Sequence, residues 1–117
     1  MPIIADYTIL SDDFFVLDKG GEVKKDLPFT LPPSVYLDSP AILSFKVVSL
    51  YPVDLKFRVL INGSEEQWAK YVGGAVCSLH EVVGGLNAGD NTVTFEYQSG
   101  DGTLRIGDIV LWFKNDQ

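Results

Sequence analysis

The 117-residue chain is poor in the residues that most enzyme chemistry uses. It has one histidine and one cysteine. A lone Cys77 allows no intrachain disulfide. One His and one Cys are too few for a tetrahedral zinc site unless carboxylates complete it. His80 and Cys77 stand three positions apart, so in a strand they face opposite sides, and only a helical turn would bring them together. No Gly-x-Ser-x-Gly elbow is present. The pairs Gly20-Gly21, Gly73-Gly74 and Gly84-Gly85 are not followed by Gly-Lys-Ser or a helix start, so they read as hairpins and bulges rather than phosphate cradles.

Basic residues are also scarce. Nine Lys and Arg face 16 Asp and Glu, a net charge of -7. Such a surface repels phosphate backbones and anionic lipids, which argues against nucleic acid and membrane partners. It favours solubility, and it can attract cations or basic proteins. Apolar runs are too short to insert into a bilayer. The stretch Met1-Pro2-Ile3-Ile4-Ala5-Asp6 lacks a basic n-region and reaches an acid early, so it is not a secretory signal. The expected location is therefore the cytoplasm by default, with export without a cleaved signal and excision from a longer protein left open.

What the chain does contain is strand patterning. Its length fits a single domain over 1–117, large enough to hold a core without disulfide or metal staples. Leu55, Phe57, Val59 and Ile61 alternate with Asp54, Lys56, Arg58 and Leu60. Leu43, Phe45 and Val47 alternate with Ser44 and Lys46, and Val93, Phe95 and Tyr97 with Thr92, Thr94 and Glu96. A period of two places one face on a core. Turn signals recur about every ten residues, which points to an antiparallel sandwich or barrel. Among them, Asn62-Gly63-Ser64 matches a glycosylation sequon but reads better as a tight hairpin turn. Candidate strands are 3–10, 14–17, 22–29, 41–49, 55–61, 67–72, 80–83, 91–97 and 102–113. In the last, Leu104 and Ile106 share one parity while Ile109, Leu111 and Phe113 share the other. An extra residue at Gly107-Asp108 would restore the inward face as a bulge, with the glycine supplying positive φ.

From Ala41 onward the chain resembles a galactose-binding-like β-sandwich, the jelly roll of many carbohydrate-binding modules. The segments that carry the likeness are Ala41-Ile42-Leu43-Ser44-Phe45, Val59-Leu60-Ile61-Asn62-Gly63, the run from Gly85 to Phe95, and the run from Leu104 to Leu111. The resemblance implies an all-β fold, an antiparallel β-sandwich of about eight strands with jelly-roll topology. It also implies a non-catalytic, lectin-like binding module with carbohydrate as the partner. No cofactor is required. Many sandwiches of this kind hold a structural calcium between the domain start and the last strand, which makes Asp108 with Asp12, Asp13 or Asp18 the candidate ligands.

Carboxylate pairs such as Asp12-Asp13, Glu65-Glu66 and Asp90 with Asp101 sit in turn-like sequence, where nothing suggests the burial an acid/base pair needs. Aromatics are the stronger lead. Flat rings stack against sugar rings while nearby polar groups bind hydroxyls. Trp68, Tyr71 and Tyr51 are the candidate platform, with Glu66 and Gln67 as hydroxyl partners. Trp112 has opposite parity to Leu111 and Phe113, so it is expected to face outward. A second reading is a structural or assembly protein that uses sheet faces or edges to contact protein, with room for oligomers. Exposed Leu60, Val110 and Trp112 would support it.

Overall fold

A computed structural model describes residues 3–18, 20–49, 54–73, 76–100 and 103–116, leaving aside the side chains of 49, 54–55, 64–73, 76–77 and 100. Nine strands follow in order: β1 Ile3–Ser11, β2 Phe15–Asp18, β3 Lys24–Leu31, β4 Ala41–Ser49, β5 Asp54–Ile61, β6 Ser64–Gly73, β7 Val76–Val83, β8 Gly89–Gly100 and β9 Thr103–Asp116. They form two antiparallel sheets. The first runs β1-β9-β4-β7, with β2 also on β9, and the second runs β3-β8-β5-β6. Successive strands from β2 onward mostly alternate between sheets, which is the jelly-roll arrangement. β1 and β2 occupy the same edge of β9, one beside its second half and the other beside its first.

Alternation builds the core as the sequence implies. Leu43, Phe45 and Val47 of β4 meet Phe57, Val59 and Ile61 of β5 and Val93 and Phe95 of β8, all buried. Phe45 makes edge-on contacts with Phe57 and Phe95, at centroid separations of 6.1 and 5.1 Å. Such geometry sets the electropositive ring edge against a neighbouring ring face. Pro28 lies in β3, an outer strand, where a missing backbone donor costs no ladder bond on the open side.

The hairpin and bulge follow two different rules. Asn62 and Gly63 both have positive φ, 51° and 84°, as the tight turn requires. Between Gly107 and Val110 the register of β9 with β4 slips by one residue, so the expected bulge is present. The positive φ, however, belongs to Asp108 at 51°, not to the glycine. Gly107 is needed for space instead. A Cβ there would lie 2.5 Å from the Phe14 ring, which covers the bulge. β7 is extended through Cys77–Val83 rather than helical, with Cys77 opposite Val47 and His80 opposite Ser44.

Buried Asn91 ties the far turns together. Its Oδ1 accepts from the Asn87 backbone N–H at 2.8 Å and Asn62 Nδ2 at 2.9 Å. Its Nδ2 donates to the carbonyls of Asn87 at 2.8 Å and Gly89 at 3.0 Å. Both lone pairs and both hydrogens are thus satisfied. The Asn62 amide also donates to the Gly85 carbonyl and accepts from the Thr92 N–H. In the folded chain the sequon asparagine is therefore a structural tie.

Candidate functional site

The outer face of the first sheet carries a row of exposed apolar side chains across four strands. Tyr7 on β1 stands opposite Trp112 on β9, Trp112 opposite Ile42 on β4, and Ile42 opposite Val82 on β7. All four are exposed. At a strand spacing of about 4.8 Å the row is roughly 14 Å wide. Trp112 is 47% exposed while its neighbours Leu111 and Phe113 are 0% and 7%, so its outward parity is as expected. Val110 and Leu60 are only half-buried.

The indole is held in place. Trp112 Nε1–H donates to Ser44 Oγ at 3.1 Å, and the Ser44 hydroxyl donates to the Val110 carbonyl at 3.4 Å. Tyr7 leans on the other side, with ring centroids 5.3 Å apart and planes tilted by 41°. A fixed aromatic surface loses little conformational entropy when a ligand covers it.

Polar groups gather next to this platform. A hollow of about 120 Å³ is lined by Ser44, Lys46, Ser78, His80 and Asp108, over Phe45. The Lys46 ammonium meets the Asp108 carboxylate at 3.2 Å, with both side chains about half exposed. An ion pair this wet adds little stability. It does present a cation and an anion side by side, a pattern that matches the paired donors and acceptors of a diol. The bulge aims Asp108 here, since the extra residue re-phases the strand at this point. On the other side of Trp112 lies a second hollow of about 170 Å³, lined by Ala5, Pro40, Ile42 and Lys114 among others. A third, of about 70 Å³, lies between Tyr36, Leu86 and Phe113 at the end of the sandwich, where the Ser39 hydroxyl has no partner among the described residues. It has room for roughly two waters, which suits bridging water rather than a ligand.

The residues expected to bind ligand are placed as follows. Tyr51 lies outside the described residues. Glu66, Gln67, Trp68 and Tyr71 belong to β6, an outer strand of the second sheet, and their side chains lie outside the description. Of the calcium candidates, Asp108 pairs with Lys46. Asp18 accepts from the Gly20 N–H and the Thr103 hydroxyl. Asp12 and Asp13 are exposed in the β1–β2 connection. Among the described residues, no three Asp, Glu, His or Cys side chains group to hold a metal ion. Sequence reasoning singles out Trp112 but does not bring it together with Tyr7, Ser44, Ser78, Lys46 and His80. Only their alternating parity on β4, β7 and β9 hints at a shared face.

No protein-family model matches the sequence, and no curated protein matches it. Solved structures do share its fold. The chain is similar to part of dimeric latent PorU from Porphyromonas gingivalis (TM-score 0.74, 11% identity), where 99% of this chain covers 13% of that one. It therefore spans about an eighth of that protein. It is also similar to a family 35 carbohydrate binding module from Clostridium thermocellum (TM-score 0.57, 16% identity), covering 93% of this chain and 96% of that one. A third likeness is the CBM36-1 domain of a multidomain xylanase from the hindgut metagenome of Trinervitermes trinervoides (TM-score 0.61, 11% identity), covering 96% and 99%. The chain has the β-sandwich fold of carbohydrate-binding modules.

Proposed function

We propose that this chain is a non-catalytic binding module that takes carbohydrate on the outer face of its first sheet, with a sugar ring stacked on Trp112. The observation that carries the reading is the exposed indole, pinned through Ser44, beside a polar hollow. A pyranose has an apolar C–H face and a polar rim, and this surface offers a partner to each. The fold shared with two carbohydrate-binding modules supports the reading. A catalytic role is disfavoured by the state of the nearest hydroxyl. Ser44 stands opposite His80, yet its hydroxyl is committed to Val110 and Trp112, and no hydrogen bond joins it to the imidazole.

The β6 set of Trp68, Tyr71, Glu66 and Gln67, with Tyr51, is the competing location for the same function. Retention on immobilised cellulose, xylan, mannan and galactan, with calcium and with chelator, tests both locations. Retention is expected on at least one polysaccharide, lost in Trp112→Ala and kept in Trp68→Ala. The reverse pattern moves the ligand to β6. Retention that needs calcium would support a metal site at Asp108 with Asp13, at the cost of the Lys46 pair; Asp18 lies opposite Thr103, five residues along β9 from Asp108. Absence of retention on every polysaccharide overturns the carbohydrate reading. The exposed apolar row favours the second reading, protein contact on the same face, and a Trp112-dependent dimer in light scattering would then take its place.

A further inference from the structure

Trp112 lies between two hollows, and all three lie in line. From Pro40, just before β4, the order along β4 is Ile42, Ser44, Lys46; along β9 it is Lys114, Trp112, Val110, Asp108. One hollow is walled by Pro40 and Lys114, and the other by Ser44, Lys46 and Asp108. The line therefore runs parallel to the strands. It passes from Lys114 and Asp6, over an aromatic and aliphatic surface, to a mixed polar cluster. Across the strands the order is different. Tyr7, Trp112, Ile42 and Val82 present no charged group in that direction.

Resting on the carbohydrate reading, we infer that the ligand is an internal stretch of a linear polysaccharide, at least three sugar units long, lying parallel to β4 and β9 with a middle unit on Trp112. Length supports this. Lys46 lies six positions beyond Pro40, a span of at most roughly 20 Å in extended chain. With bond lengths near 1.5 Å a pyranose and its bridging oxygen advance roughly 5 Å, so the line holds about three or four units. Direction supports it as well. A chain crossing the strands would set its hydroxyl rims against Ile42 and Val82, with only the Tyr7 hydroxyl in the row to pair with them. A chain along the strands meets Lys114 at one end and Ser78, His80 and the Lys46–Asp108 pair at the other. The side chains of Lys114, Ser78 and His80 make no hydrogen bond or ion pair among the described residues, so they are free to take ligand hydroxyls. Neither hollow is enclosed, so no wall is built to receive a chain end.

The test is isothermal titration of the full chain with cello-, xylo- and manno-oligosaccharides of one to six units. In whichever series binds, affinity should rise at least tenfold from the disaccharide to the pentasaccharide and level off by the hexasaccharide. Borohydride reduction of the hexasaccharide end should leave affinity unchanged. Lys114→Ala and His80→Ala sit at exposed positions, and each should weaken hexasaccharide binding at least threefold while leaving the disaccharide unaffected. Disaccharides that bind as tightly as hexasaccharides, or a hexasaccharide that fails once reduced, would overturn the extended site and leave the carbohydrate reading standing. Absence of binding to every oligosaccharide and polysaccharide overturns the carbohydrate reading itself. Hexasaccharide binding that survives Trp112→Ala, with the circular dichroism spectrum unchanged, overturns this placement alone.

Discussion

The two sheets turn very different outer faces to solvent. On the second sheet, cross-strand neighbours complete one another. Arg58 stands opposite Glu96 and meets it at 2.6 Å. The Thr94 hydroxyl donates to Asp26, its register partner, at 2.6 Å, and Thr30 donates to its own partner Asp90 at 3.3 Å. These three pairs are matched across the strands, as on a face built to be wetted. On the first sheet the matching positions hold Tyr7, Trp112, Ile42 and Val82, whose apolar surface is left in water. Leaving that surface exposed is unfavourable by roughly 25 cal/mol for each Å² that a ligand could cover. The comparison separates polar positions matched across β3, β8 and β5 from an apolar row that gains by being covered.

The contrast can be broken at several strengths. The largest expected effect is at Gly107. Gly107→Ala drives a methyl into the Phe14 ring and should cost about 2 kcal/mol. The melting temperature should then fall by roughly 8 °C in calorimetry. Because Asp108 shares the bulge, polysaccharide retention should fall with it. The satisfied face should respond differently. Glu96→Ala removes a partly buried partner of Arg58 and should cost about 1 kcal/mol by urea denaturation, with retention unchanged. An equal loss of retention would show that the second sheet also takes part. The smallest effect is at the rim of the apolar row. Val82→Thr should shift stability by less than about 0.5 kcal/mol, since the side chain is exposed. If Val82→Thr lowered polysaccharide affinity as much as Trp112→Ala, the ligand would have to run across the strands rather than along them.

Much of the fold was legible because strand periodicity and turn chemistry are local. The limits of β4 coincide with the alternation from Ala41 to Ser49. Asn62-Gly63 declared its hairpin because only a few residue types accept two successive positive φ values. The bulge in β9 was legible from its change of parity, but its mechanics were not. That Asp108 would take the unusual φ, and that Gly107 would be required by a ring ninety-three positions earlier in the chain, depends on Phe14 arriving from the opposite end. Strand ends were also shifted where pairing continued beyond the alternating core. β6 and β7 extend through Ser64–Gly73 and Val76–Val83 because β5 and β4 supply a ladder along that length.

The site was less legible for the same reason. Outward parity of Trp112 follows from the residues on either side of it. Its partners do not. Tyr7 lies one hundred and five residues before it, and Ile42 and Ser44 approach from a third strand. Alternation determines which residues of each strand lie on a face, because side chains project to opposite sides of the backbone in turn. Register decides which of those residues become neighbours, and it is set by pairing between distant segments. The sequence by itself therefore determined an acidic, antiparallel β-sandwich with outward-facing Trp112. Only the tertiary structure decided that Trp112 would lie between Tyr7 and Ile42, with Lys114 on one side and the Lys46–Asp108 pair on the other.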